Sequence, residues 1–237
     1  MEAKNLFPTK KKIAIIGKAP SSQKLAPYDD QDWHIWTLSD IMLCRQAPRY
    51  DVQFEIHDAE IVKQNKPYWE WLTRVEGKPL ITRDVTPELQ ASIPYPKDEI
   101  VSKYGSYFTN TVSWMLALAI EMEAEEIGIF GIDMAQNDEY AHQRPSCEYF
   151  IGLAVGRGIK VWVPPQSDLM HTSGLYGFDT ALNDMAIKQK ARVAELQQRI
   201  AAAEQLRDSK ALEAAYLQGA LEDSKDYWGQ WVHSGRT

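Results

Sequence analysis

Cysteine is almost missing from these 237 residues: Cys44 and Cys147 are the two present, far apart and without CxxC spacing. That excludes a disulfide framework and a metal knuckle, fits a reducing compartment, and leaves both thiols as small core fillers. Long apolar runs are missing too. The longest, WMLALAI at 114–120, falls far short of the ~20 residues that cross a bilayer, and the N-terminus has no signal-peptide core. A soluble, cytoplasmic protein is expected, or for a viral chain one in the host cytoplasm or the virion. Positive charge is in deficit, with 26 Lys and Arg against 33 Asp and Glu and a net charge of -7. A general nucleic-acid binder is thereby excluded, although a local basic pocket is not. No Cys/His/carboxylate cluster has metal-ligand spacing and no Gly-x-Ser-x-Gly elbow occurs, so metallohydrolase and serine-hydrolase classes fall away. Internal repeats are absent, and no motif calls for a cofactor.

What is present is a series of short buried-strand runs. Apolar, β-branched or aromatic segments recur at 12–16, 33–38, 52–56, 79–83, 126–132 and 158–163. Helical stretches lie between them at 58–75, at 109–123 and at 146–156, the last behind Pro145 as a first-turn proline. Strand and helix in alternation predict βαβ units: an α/β, Rossmann-like three-layer sandwich with a mostly parallel sheet, its core over about residues 10–165. After a Pro/Ser/Gly-rich loop at 164–179 the composition changes to Ala, Gln, Glu, Leu, Lys and Arg without proline. Val193, Leu196, Ile200 and Ala203 then follow 3-4-3 spacing, which predicts one long helix or two meeting near Asp208-Ser209. Residues 1–170 read as the nucleotide-binding domain and 171–237 as a helical C-terminal extension, either a hairpin on the sheet or a homo-oligomerising arm. Eight tryptophans and eleven tyrosines supply core and interface rings, some of them candidates for a ring-binding pocket.

The stretch KKKIAIIGKAPSS at 10–22 ends a strand in a turn, where unpaired N–H groups of a following helix would face an anion. The glycine spacing of a P-loop or a dinucleotide fingerprint is missing there. In an open α/β sheet, ligands bind beyond the strands' carboxyl ends. That selects Gly17 to Ser22, Ser39-Asp40, His57-Asp58, Asp133 with the loop to Pro145, and Pro164 to His171. Each has an ordinary structural role to weigh against it, since Ser39, Asp58 and Asp133 can simply cap helices or close turns. Asn110, ahead of the apolar helix, is a cap or a contact to a ribose or phosphate. His142, beside Tyr140 and Arg144, is the best proton-transfer group, or merely a polar surface residue.

The motifs IIGKAPSS and FTNTVSWMLALAIEMEAEEIGIFGIDMAQNDEYAHQ resemble, in their order, those of the bacterial lipooligosaccharide sialyltransferases and related Rossmann-like proteins. The resemblance covers about residues 12–165, with clear signal in the first turn and at 107–163. It implies a cytidine nucleotide sugar held at strand ends and a loop histidine that deprotonates the acceptor. By position it implies Gly17, Ala19, Pro20 and Ser21 in the phosphate-side turn, and Ser39, His57 and Asn110 as nucleotide contacts. Asp133 and Tyr140 would lie near the leaving group, with His142 as base. This chain departs from the family at Ala19, where a glycine is expected, at Ser39 and His57, where asparagines are, and at Ala135, where a tyrosine is.

Three functions follow. The first is metal-independent, glycosyltransferase-like group transfer from a nucleotide sugar; the second is a protein that binds or sequesters a nucleotide without turnover. The third is a structural or assembly component, such as a virion or phage protein, built on the same scaffold.

Overall fold

The computed structural model describes residues 3–44, 47–134, 138–172, 174–176, 178 and 183–234, with the backbone alone at 138–141, 183–185 and 230–234. It divides into two compact units, Met1–His171 and Thr172–Thr237. In the first unit seven strands form one sheet: β1 (Lys12–Ile16), β2 (Trp33–Leu38), β3 (Val52–Glu55), β4 (Leu80–Thr82), β5 (Ser92–Pro94), β6 (Glu126–Phe130) and β7 (Lys160–Trp162). Their order is β5-β4-β3-β2-β1-β6-β7, and every pairing is parallel. A fully parallel sheet must be covered on both faces. β1 shows how: Ile13 and Ile15 join the main core, while Ala14 and Ile16 pack on the opposite face with Ile35 and Phe130.

Helices α3 (Lys97–Tyr104), α4 (Thr111–Glu121) and α5 (Asp138–Gly156) cover the main face, and α1 (Ala59–Val62) and α2 (Lys66–Leu72) pack nearer β4 on the other. The central α4 buries every residue from Val112 to Ile120 except the half-buried Trp114. Three expectations are corrected. The 58–75 helix is broken at residues 63–65, where Asn65 begins a new helix by accepting the Tyr68 N–H. Pro145 lies inside α5 rather than at its start, removing one hydrogen bond from the ladder. β5 and α3 were not foreseen, because a three-residue edge strand ending in proline carries no alternation to read.

Cys147 is buried as expected, and burial pushes its thiol up to about 12. Cys44 is exposed instead. In the second unit a single helix, α6, runs from Asn183 to Ser234. It passes through Asp208-Ser209 without a break, so the helical hairpin does not form. No helix among the described residues is long and apolar enough to cross a membrane.

Candidate functional site

The chain leaves β1 toward β2 through β5, then returns to β6 on the other side of β1. Connections therefore depart in opposite directions beyond the carboxyl ends of β1 and β6, which opens a crevice there. A cavity of about 470 Å³ occupies it. Gly17, Lys18 and Ala19 form one wall after β1, and Gly131 to Met134 form the other after β6. Leu38, Val112 of the first turn of α4, and Gln143 of α5 complete it.

The two turns are fastened to each other. The Gly17 N–H donates to Phe130 O at 2.7 Å and the Ala19 N–H to Gly131 O at 2.8 Å. Ser22 Oγ accepts the Gly131 N–H at 2.8 Å, Gln23 Nε2 donates to Gly17 O at 2.8 Å, and Ser21 Oγ donates to Asp133 Oδ1 at 2.6 Å. So close an approach requires glycine on both sides. A Cβ on Gly17 would meet Gly131 O at 2.3 Å, and Gly131 adopts φ +64 with its own Cβ direction blocked by Gly17 O at 2.6 Å.

This clasp alters the expected anion site. The N–H groups of Gly17 and Ala19 are spent on carbonyls across the crevice, and the turn continues into a three-residue 3-10 helix, Gln23–Leu25, with no helix N-terminus to offer. Positive charge comes from Lys18 instead, whose ammonium pairs with Asp40 beyond β2.

Of the residues selected from sequence, Gly17, Ala19 and Asp133 line the cavity and Ser21 is bonded to Asp133; Pro20 is exposed beside them. Asn110 is the N-cap of α4: Oδ1 accepts the Ser113 N–H at 2.9 Å and Nδ2 donates to Gln143 O at 2.9 Å. It thereby ties together the two helices that carry Val112 and Gln143. His142 precedes Gln143 on α5 and is exposed. Tyr140 is on the same helix, but its side chain, like the whole of Ala135, lies outside the described residues. Ser39 follows the cavity residue Leu38; its backbone is in the left-handed region at φ 54, and its carbonyl accepts from the buried Gln53 Nε2 at 2.8 Å.

His57 stands apart. It follows β3, two strands and about 10 Å from β1, and lines a separate cavity of about 250 Å³ with Asp58, Lys63, Trp69 and Arg83. Its Nδ1 lies 2.5 Å from Oε1 of the buried Glu55. A carboxylate only accepts, so Nδ1 carries the proton. That hydrogen bond raises the imidazole above its ordinary value against the opposing effect of burial. Sequence reasoning passed over Glu55, although a glutamate ending an apolar strand two residues before a histidine is a readable signal, since both then share a face. Val112 and Gln143 carried no such mark. Among the described residues, no group of three His, Cys, Asp or Glu is arranged to hold a metal ion.

No known family model matches the chain, and no curated protein does. Solved structures are similar to it. One is the sialyltransferase CstII from Campylobacter jejuni in complex with cytidine-5'-monophosphate, at 16% identity over 69% of this chain and 84% of that one, with a TM-score of 0.45. A point mutant of the alpha-2,3/8-sialyltransferase CstII gives 16% identity over 67% and 84%, with a TM-score of 0.43. CstII with a trisaccharide acceptor and CMP gives 14% identity over 63% and 79%, with a TM-score of 0.39. These are distant likenesses of fold, and function is read from the crevice itself.

Proposed function

We propose that the first unit binds a nucleotide-activated sugar in the β1/β6 crevice and transfers the sugar to an acceptor hydroxyl. The observation that carries the reading is the cavity at the reversal of strand order, whose 470 Å³ falls within the ~300–1,000 Å³ typical of small-molecule sites. Two glycine-based turns clasped to each other give the crevice a fixed base, Lys18 brings positive charge for a phosphate, and Asp133 and Gln143 offer polar groups for orientation. In this reading Gly17, Ala19, Pro20 and Ser21 form the phosphate side. Ser39 and Asn110 lie toward the nucleotide, with Asn110 acting by holding α4 and α5 rather than by direct contact, whereas His57, in its own cavity beyond β3, is left out of the crevice. The first domain, residues 1–170, does the binding, and 171–237 is an extension.

In the transfer step the acceptor oxygen attacks the anomeric carbon, its proton passes to a base, and the nucleotide phosphate leaves with the bonding electron pair. His142, adjacent to a cavity residue on α5, takes that proton, and Tyr140, assigned from the sequence resemblance, assists the departing phosphate. General-base catalysis contributes ~100- to 10,000-fold. His142→Ala should therefore lower turnover by about that range while leaving nucleotide affinity unchanged. The test pairs a thermal-shift screen of nucleotides and nucleotide sugars, CMP included, with donor-hydrolysis rates for the parent and His142→Ala. A ligand at 100 times its Kd stabilises the fold by about 2.7 kcal/mol. No stabilisation by any of them overturns the reading, full activity in His142→Ala removes the base, and stabilisation without turnover establishes the nucleotide-binding alternative.

A further inference from the structure

Helix α6 carries its large apolar side chains out into solvent. Every residue from Ala186 to Trp228 is exposed, including Val193, Leu196, Ile200, Leu217, Leu221 and Trp228. A helix of 52 residues is about 78 Å long, and helices of proteins owe most of their stability to packing one apolar face. A single heptad phase, with a at 186, 193, 200, 207, 214, 221 and 228 and d three residues later, collects much of this surface on either side of a central stretch where Ala203, Arg207, Lys210 and Ala214 hold the seam. Half of its 14 a and d positions hold Val, Ile, Leu or Trp, whereas 7 of the other 38 helix positions hold a large apolar residue. We infer that α6 pairs with α6 of a second copy of this chain as a parallel, in-register, two-stranded coiled coil.

The occupant and its direction are read from the same phase. β-Branched Val193 and Ile200 at a with Leu196 and Leu217 at d are the combination that favours two strands over three or four. In the parallel register each g residue faces the e residue five positions on. Those pairs contain one attraction, Arg199 with Glu204, and no like charges. Antiparallel overlap would keep Ile200 against Leu217 and Leu196 against Leu221, but it would oppose Lys190 to Lys225, Val193 to Ser224 and Trp228 to Gln189. Parallel pairing also stacks two polar layers, at Arg207 and Lys210. Each cation already has a partner on its own helix: Arg207 Nε donates to Asp208 Oδ1 at 2.8 Å and Lys210 Nζ to Glu213 Oε2 at 2.5 Å. Polar layers of this kind fix register at some cost in stability. The inference is independent of the nucleotide reading.

Sedimentation equilibrium of the full chain at about 50 μM should give about 54 kDa, twice the 27.1 kDa chain, and Ile200→Asp with Leu217→Asp should return it to the single-chain mass. For direction, cysteines are placed in a Cys44→Ser background, because Cys44 is exposed. Mild oxidation should cross-link Leu196→Cys to itself nearly completely, while Leu212→Cys, on the outer f position, stays uncross-linked. A single-chain mass for the parent overturns the pairing, and a trimer mass overturns the two-stranded form. Preferential cross-linking of Val193→Cys with Ser224→Cys in a mixture overturns the parallel register.

Discussion

Replacing Gly17 by alanine places a methyl carbon 2.3 Å from Gly131 O and 2.5 Å from Ile132 Cγ1. The isoleucine can turn aside, but the carbonyl belongs to a backbone turn whose own φ of +64 leaves it little freedom. The two turns must therefore separate, straining the hydrogen bonds from Gly17 N to Phe130 O and from Ala19 N to Gly131 O. Overpacking of this kind costs about 1–3 kcal/mol and each weakened hydrogen bond about 1 kcal/mol. A loss of about 3–5 kcal/mol is expected, a large share of the ~5–15 kcal/mol that holds a native protein together. Tryptophan fluorescence in urea reads it directly: with a slope of about 2 kcal/mol per molar, the midpoint should fall by about 1.5–2.5 M. Gly152→Ala is the control. Its added Cβ meets nothing within 4 Å on α5, so it should gain about 0.5–1 kcal/mol from helix propensity alone. A Gly17→Ala midpoint equal to the parent's would refute the clasp between the two turns and with it the built floor of the crevice.

Asn110→Ala should cost about 1–2 kcal/mol through the lost cap of α4, seen as a lower urea midpoint. It should also weaken any ligand found in the screen, because the Asn110–Gln143 link between two cavity walls goes with it; unchanged stability would show that the cap is dispensable. For the Glu55–His57 pair the perturbation is Glu55→Gln, read by NMR titration of the imidazole. The parent should titrate above 6.5 and the variant lower, since the hydrogen bond that His57 donates to Glu55 is the main cause of the upward shift. A histidine whose folded pKa exceeds its unfolded value adds stability that is complete below about pH 6.5 and lost as the pH climbs through the folded pKa. The parent's advantage in Tm over Glu55→Gln should therefore shrink as the pH rises from 6 to 8, and an advantage that grows over that range would contradict the pairing.

Much of the first unit was legible in the sequence, because burial leaves a local record. Ile13 to Ile16 and the EIGIF run at 126–130 read as strands covered on both faces, and both are central strands of the parallel sheet. Asn110, just ahead of the apolar helix, was likewise readable as its cap. At the edges the record faded: Ser92–Pro94 is too short and too exposed for its pattern to show. The site was legible only as a set of strand ends. Gly17, Ala19, Ser21 and Asp133 meet although 112 residues separate Ser21 from Asp133, whereas His57, selected by the same rule, is carried away to another cavity with Glu55. Whether the Gly17 and Ala19 N–H groups face a ligand or a carbonyl was likewise decided across the crevice, by Gly131 and Phe130. Periodicity reports how each segment is buried; which strand ends become neighbours depends on the order in which strands pair, and only long-range hydrogen bonding and packing set that order.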